Sequence, residues 1–186
     1  MRDRADGGQE GRLLAALAAG DRRAAEQLVE RTYRGVYNLL RRLCGDADLA
    51  ADLTQETYRK AWDGLPGFDR RSQFSTWLFR IAYTTFLNHL RRPHRLVPLE
   101  EKHEAAVPDP APSVEETVDR GAAGDRLRRA VLALPEDLRF TVTAVYWGDH
   151  PVKEVARQEG VTAVAIRKRL KRALRMLSLA LEEDVR

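Results

Sequence analysis

The sequence predicts an all-α chain of two small helical domains, the second carrying a helix-turn-helix. Three observations lead there. Apolar residues recur at helical spacing through most of the 186 residues, and no stretch alternates as a strand would. Between residues 93 and 112 the chain turns acidic and proline-rich, with Pro93, Pro98, Pro108, Pro110 and Pro112 and few large apolar side chains. Such a segment buries too little apolar surface to offset its ordering entropy, so a flexible linker is expected. Near the C-terminus, VKEVARQEGVTAVAIRKRL sets two short apolar-faced segments around Gly160. The expected division is a helical domain over 1–92, the linker over 93–112 and a helix-turn-helix domain over 113–186.

Each element has a local justification. Residues 1–11 are polar and glycine-rich and are expected to fray, and residues 13–19 form a short apolar helix ended by Gly20. Asp21 caps the next helix, which runs to about residue 44 with Leu28, Val36, Leu39, Leu40 and Leu43 turned inward. Gly45 stops it, and Asp46 caps a third helix through residue 62. Gly64, Pro66 and Gly67 then break the chain into a loop. From 74 to 92, FSTWLFRIAYTTFLNHLRR holds neither Gly nor Pro, which predicts one helix of about five turns. Trp77, Leu78, Phe79, Ile81, Ala82, Tyr83, Phe86, Leu87 and Leu90 run nearly all the way round it, placing it at the centre of its domain. Past the linker, Ser113 and Glu116 form a capping-box pair that opens a helix to about residue 134. Pro135, Glu136 and Asp137 suit the positive end of the following helix, which runs to residue 147. Pro151 opens a short helix ended by Gly160, and a basic helix fills about 162–182.

Charge and composition narrow the function classes. The formal net charge of +4 is unevenly placed: residues 1–92 are net +4, residues 93–120 net −4 and residues 121–186 net +4. Two basic blocks with an acidic connector suit two modules facing one polyanion. Cys44 is the single cysteine, and His89, His94, His103 and His150 lack paired ligand spacing, so no disulfide, metal or other cofactor is expected. No apolar run approaches the roughly 20 residues of a membrane span, and MRDRADGGQEGR lacks a signal-peptide core. A cytoplasmic location is expected. No nucleophile, Gly-rich phosphate loop or carboxylate dyad stands in a recognisable frame, so no catalytic residues are assigned.

Three polar faces remain. In DLTQETYRKAW, Leu49, Leu53 and Ala61 mark the inner side, while Asp52, Gln55, Glu56 and Arg59 form a continuous outward face. Along the long helix, Thr76, Arg80, Thr84 and Asn88 recur every fourth residue, followed by Arg91 and Arg92. That stripe offers hydrogen-bond donors and positive charge without a carboxylate. Beside it, the loop supplies Phe68, Arg70 and Arg71, one aromatic and two cationic groups. Taken singly, each face is what any solvated helix displays. The third face is more specific. Thr162 heads a helix bearing Arg167, Lys168, Arg169, Lys171, Arg172 and Arg175 with no acid among them, just where a recognition helix would enter the major groove. Arg167, Lys168 and Lys171 lie forward, towards base edges, and Arg172 and Arg175 lie back, towards phosphates.

DLTQETYRKAW, FDRRSQFSTWLFRIA, NHLRR, LPEDLR and the helix-turn-helix, in this order and spacing, resemble the bacterial sigma-70 family in its two-domain extracytoplasmic-function (ECF) type. The resemblance implies a non-enzymatic specificity subunit of RNA polymerase. It implies that Asp52, Gln55, Glu56 and Arg59 grip the clamp helices of the polymerase β′ subunit, with the β flap as a further contact. It implies that Phe68, Arg70, Arg71, Thr76, Arg80, Thr84, Asn88, Arg91 and Arg92 open and read the minus-ten promoter element. Thr162, Arg167, Lys168, Lys171, Arg172 and Arg175 would read the minus-thirty-five element, and an anti-sigma factor is a further implied partner. The chain departs from the common family pattern at Thr84, at Val164-Ala165 and at His150-Pro151. Two other classes fit less well. A free-standing dimeric regulator would want an apolar pocket or self-complementary face in the first domain, and a nucleic-acid-processing enzyme would want a metal or nucleophile constellation.

Overall fold

Asp21 and Asp46 each accept a backbone N–H from the first turn they precede, and this fixes where two of the first four helices begin. In the computed structural model, backbone is described for residues 2–91 and 114–183 and side chains for 8–91 and 121–182. The linker expected over 93–112, Arg92 and the capping residue Ser113 lie outside the described residues. The described amino-terminal helices are α1 (Arg2–Ala18), α2 (Arg22–Cys44), α3 (Ala47–Gly64) and α4 (Phe74–Arg91). The carboxy-terminal ones are α5 (Val114–Ala133), α6 (Glu136–Val142), α7 (Val152–Glu159) and α8 (Ala163–Glu183). No strand occurs among the described residues.

α4 is central, as its near-continuous apolar surface requires. Leu78, Phe79, Ala82, Tyr83 and Phe86 are buried, and α2 and α3 pack on it. Leu90 alone of the expected apolar set is exposed. Between α3 and α4, a short 3-10 turn (Leu65–Gly67) leads into a loop where Arg70 takes a φ of 57°, a sparsely populated conformation for a residue with a Cβ. In the second group, α6 runs directly into a π-helical turn (Thr143–Trp147), closed by the Gly148 N–H donating to Thr143 O at 2.9 Å. α7 and α8 make the helix-turn-helix. Val155 and Ala156 meet Ile166 and Leu170 in its interior, and Gly160 turns the chain at a φ of 65°.

One expectation changes. α1 begins at Arg2 rather than near residue 13, although Gly7, Gly8 and Gly11 lower its propensity. Tertiary docking overrides that propensity: Glu10 is buried and its carboxylate accepts the Phe74 N–H at 3.0 Å, capping α4 from the other end of the domain. The two groups of helices pack on each other. Phe79 and Tyr83 of α4 meet Phe140 of α6, with ring centroids 6.4 and 5.3 Å apart, so one apolar core is continuous across both.

Candidate nucleic-acid interface

The outward face of α3 lies where its spacing puts it. Asp52, Gln55 and Arg59 are exposed, while the opposite side buries Leu53, Thr57, Tyr58 and Ala61. Glu56 is half-buried and pairs with Lys60 at 2.8 Å, and Arg59 pairs with Asp63 at 3.2 Å. The face therefore mixes charges engaged in ion pairs, Glu56 and Arg59, with the exposed Asp52 and Gln55.

The α4 stripe is split by its surroundings. Thr84 and Asn88 are exposed, as is Arg91, which reaches Glu136 at 3.2 Å. Thr76, expected on the same outward stripe, is 0% exposed and shares a 3.2 Å hydrogen bond with His150 Nδ1. The four residues share one stripe, but α7 and the turn before it cover that end of the helix. Arg80 is one-third exposed; its guanidinium lies 4.4 Å over the Phe140 ring and 3.6 Å from the Glu159 carboxylate. Lys60, Trp77, Arg80, Ile81, Thr84, Thr85, Asn88 and Gln158 surround a cavity of about 210 Å³. In the preceding loop Arg70 and Arg71 are exposed, with Arg71 held by Asp69 at 2.9 Å. Phe68 is half-buried and packs on Trp77 at 4.8 Å and Phe74 at 6.1 Å, so its ring braces the groove as much as it lines it. Lys60, Trp77, Ile81, Thr85 and Gln158 are groove residues that the sequence did not single out. Trp77 reads there as one more core aromatic and Lys60 as a flank of the α3 face.

α8 presents its cations differently along its length. The Thr162 hydroxyl accepts the Ala165 N–H at 3.1 Å, capping the helix and leaving its start square to solvent. Arg167, Lys168, Lys171, Arg172 and Arg175 are all exposed. Arg169, the sixth of the basic cluster, turns inward between Asp137 at 3.4 Å and Glu159 at 3.8 Å. It braces the fold, and the outward cluster has five cations.

His150, in the turn ahead of α7, packs edge-on against Phe79 with centroids 4.8 Å apart. Burial pushes its imidazole down to about 4 from 6.5, against a weaker opposite pull from Asp149. The fold therefore favours neutral His150. Its contribution is whole above pH 6.5 and is lost as pH falls from 6.5 through 4, where the unfolded chain binds the proton and the folded chain does not. Through that window the unfolding midpoint is expected to fall more steeply for the wild type than for His150→Asn. Parallel curves would mean that His150 is solvated in the native state.

Two family profiles match the chain: Sigma-70 region 2 over residues 28–96, and Sigma-70, region 4 over residues 124–177. The chain is 31% identical to the RNA polymerase sigma-H factor of Pseudomonas aeruginosa, over 96% of this chain and 96% of that protein. It is 32% identical to the ECF RNA polymerase sigma factor SigM of Mycobacterium tuberculosis, over 87% and 79% respectively. Among solved structures it is similar in fold to CnrH in complex with the cytosolic domain of CnrY, with a TM-score of 0.65 at 22% identity over 97% of this chain and 99% of that one. It is likewise similar to the sigma factor RpoE in complex with the anti-sigma factor NepR from Bartonella quintana, with a TM-score of 0.57 at 23% identity over 84% and 96%.

Proposed function

The chain belongs to the sigma-70 family, in its ECF type, and on that premise we propose how its faces divide the work of a sigma factor. A sigma factor binds core RNA polymerase and directs it to promoters; it performs recognition and not catalysis. Asp52, Gln55, Glu56 and Arg59 on α3 hold the polymerase, through the β′ clamp helices. The loop with Phe68, Arg70 and Arg71, together with Arg80, Thr84, Asn88 and Arg91 of α4, takes the minus-ten element as single strand. Thr162, Arg167, Lys168, Lys171, Arg172 and Arg175 of α8 take the minus-thirty-five element as duplex. The domains are those expected over 1–92 and 113–186, the second also touching the β flap.

One observation carries this division: sign and chemistry segregate by face. Between Arg167 and Arg175 α8 exposes five cations and no acid, the α4 groove combines Trp77 with Arg80 and Lys60, and the α3 face keeps Asp52 and Glu56 where a phosphate backbone would be repelled. Among the described residues no helix is long and apolar enough to cross a membrane. A cytoplasmic location accords with a polymerase partner, and an anti-sigma factor is a fitting further partner, since the similar RpoE forms a complex with the anti-sigma factor NepR.

The experiment is capture of purified core RNA polymerase by the full-length chain, wild type against Asp52→Lys. Asp52 is the better probe than Glu56, whose carboxylate is engaged with Lys60. Reversing an exposed interfacial charge is expected to weaken core binding by about tenfold or more, with unchanged urea unfolding. Equal affinity for the two proteins would remove α3 from the polymerase interface.

A further inference from the structure

α2 ends in a surplus of positive charge that none of the three faces above uses. Arg41 and Arg42 stand exposed on its last turn. The Arg128 guanidinium of α5 lies against Gly45 just past it, where a Cβ would fall 2.7 Å from the guanidinium carbon. The negative end of a helix calls for one cation. Arg128 takes that place by donating to the Cys44 carbonyl oxygen at 3.0 Å. Arg41 and Arg42 have no carboxylate partner among the described residues. The three guanidiniums surround a cavity of about 670 Å³ whose further walls include Leu127, Trp147 and a glycine face of α5. We propose that this cavity binds a nucleotide, its phosphates held by Arg41, Arg42 and Arg128 and its base set against Trp147 and Leu127.

Size and chemistry agree. The volume lies within the roughly 300–1,000 Å³ of a small-molecule site, and a phosphate chain alone would leave much of it empty. Guanidinium forks match phosphate oxygens in pairs. The Arg42 guanidinium carbon sits 5.8 Å over the Trp147 ring, so positive charge and aromatic surface already adjoin. Asp125 is the one acid in the wall, and it is engaged with Arg128 at 3.1 Å. Arg128 is thereby held from two sides. Its buried Nε still has no partner among the described residues, a donor whose burial costs stability until an acceptor answers it.

The glycines supply the room. Gly121 and Gly124 lie one turn apart inside α5, where glycine is a poor helix former. Neither takes a positive φ, and a Cβ at either would meet nothing within 4 Å. Backbone and packing therefore do not require them. What they omit is bulk on the cavity wall. None of the residues assigned to polymerase or promoter lines this cavity, and its walls come from α2, α5 and the π-helical turn. A bound nucleotide therefore bridges the two groups of helices.

The test is isothermal titration calorimetry of the full-length chain with adenosine triphosphate, without magnesium. Saturable binding of one nucleotide per chain is expected. Arg42→Ala is expected to weaken it about tenfold, the loss of one charge-assisted contact. Gly124→Leu puts a side chain into the cavity and is expected to weaken it by about tenfold or more. Its unfolding midpoint is expected to stay at or above that of the wild type, because leucine is the better helix former. Arg22→Ala/Arg23→Ala removes two charges at the opposite end of α2 and is expected to bind as the wild type does. Sodium tripolyphosphate, which offers Trp147 no ring, is expected to bind about tenfold more weakly than the nucleotide. Failure of the wild type to saturate overturns the site, as does wild-type affinity in Arg42→Ala or in Gly124→Leu. An equal loss in Arg22→Ala/Arg23→Ala overturns it too, since general charge would then account for the binding. Equal affinity for tripolyphosphate would assign the cavity to phosphate alone and overturn the nucleotide.

Discussion

With core polymerase bound, Arg172→Ala/Arg175→Ala is expected to hold promoter duplex roughly 60-fold less tightly at about 0.1 M salt, with a salt dependence shallower by about 1.8 in log–log slope. Both side chains are exposed on the rear of the recognition helix, and neither is drawn inward as Arg169 is by Asp137 and Glu159. Each phosphate neutralised by such a cation releases about 0.9 of a counterion, so the loss of two contacts sets both the slope and the affinity. The loss is uniform across sequences, because phosphates carry no base identity. Lys171→Ala, further forward, is expected to do the reverse: it blunts sequence preference by about 1 kcal/mol, since lysine makes a poorer fork than arginine. Filter binding of holoenzyme to a duplex panel at several salt concentrations reads both. Sequence-selective loss from the double variant, with uniform loss from Lys171→Ala, would reverse the orientation of α8 on DNA.

Phe140→Ala is expected to cost about 3–5 kcal/mol of stability, the range for emptying a fully buried aromatic site. The ring is 0% exposed, meets Phe79 and Tyr83 of α4, and carries the Arg80 guanidinium on its face. Its ring neighbours on α4 belong to a helix held by α2 and α3 as well, which limits collapse into the space. Urea unfolding followed by circular dichroism and by tryptophan fluorescence measures the loss. Trp62 and Trp77 lie in the amino-terminal helices and Trp147 in the carboxy-terminal ones, so the two signals also show whether the groups melt together. A midpoint equal to that of the wild type would mean that Phe140 closes no shared core.

Much of the molecule is decided within a few residues of chain. Asp21 and Asp46 cap α2 and α3, Gly45 ends α2 at a φ of 76°, and Gly160 sets the turn of the helix-turn-helix, each by a bond or a backbone angle that needs no distant partner. The five exposed cations of α8 and, on α3, Asp52, Gln55 and Arg59 follow from helical period, because among the described residues those side chains stay exposed. Sequence by itself therefore determined the all-α class, the order of the helices, the two free faces and the family.

Tertiary structure decided the rest, wherever a side chain's partner is far along the chain. Glu10 and Glu154 cap α4 from α1 and α7, which no capping rule for the residues before Phe74 would show. Thr76 and Arg80 share a stripe with Thr84 and Asn88, yet two are covered and two are open, because the period of a helix tells which residues share a face and not what lies against it. Arg169 departs from the basic cluster for the same reason: acids on α6 and α7 reach it, and burial is a property of the assembled chain.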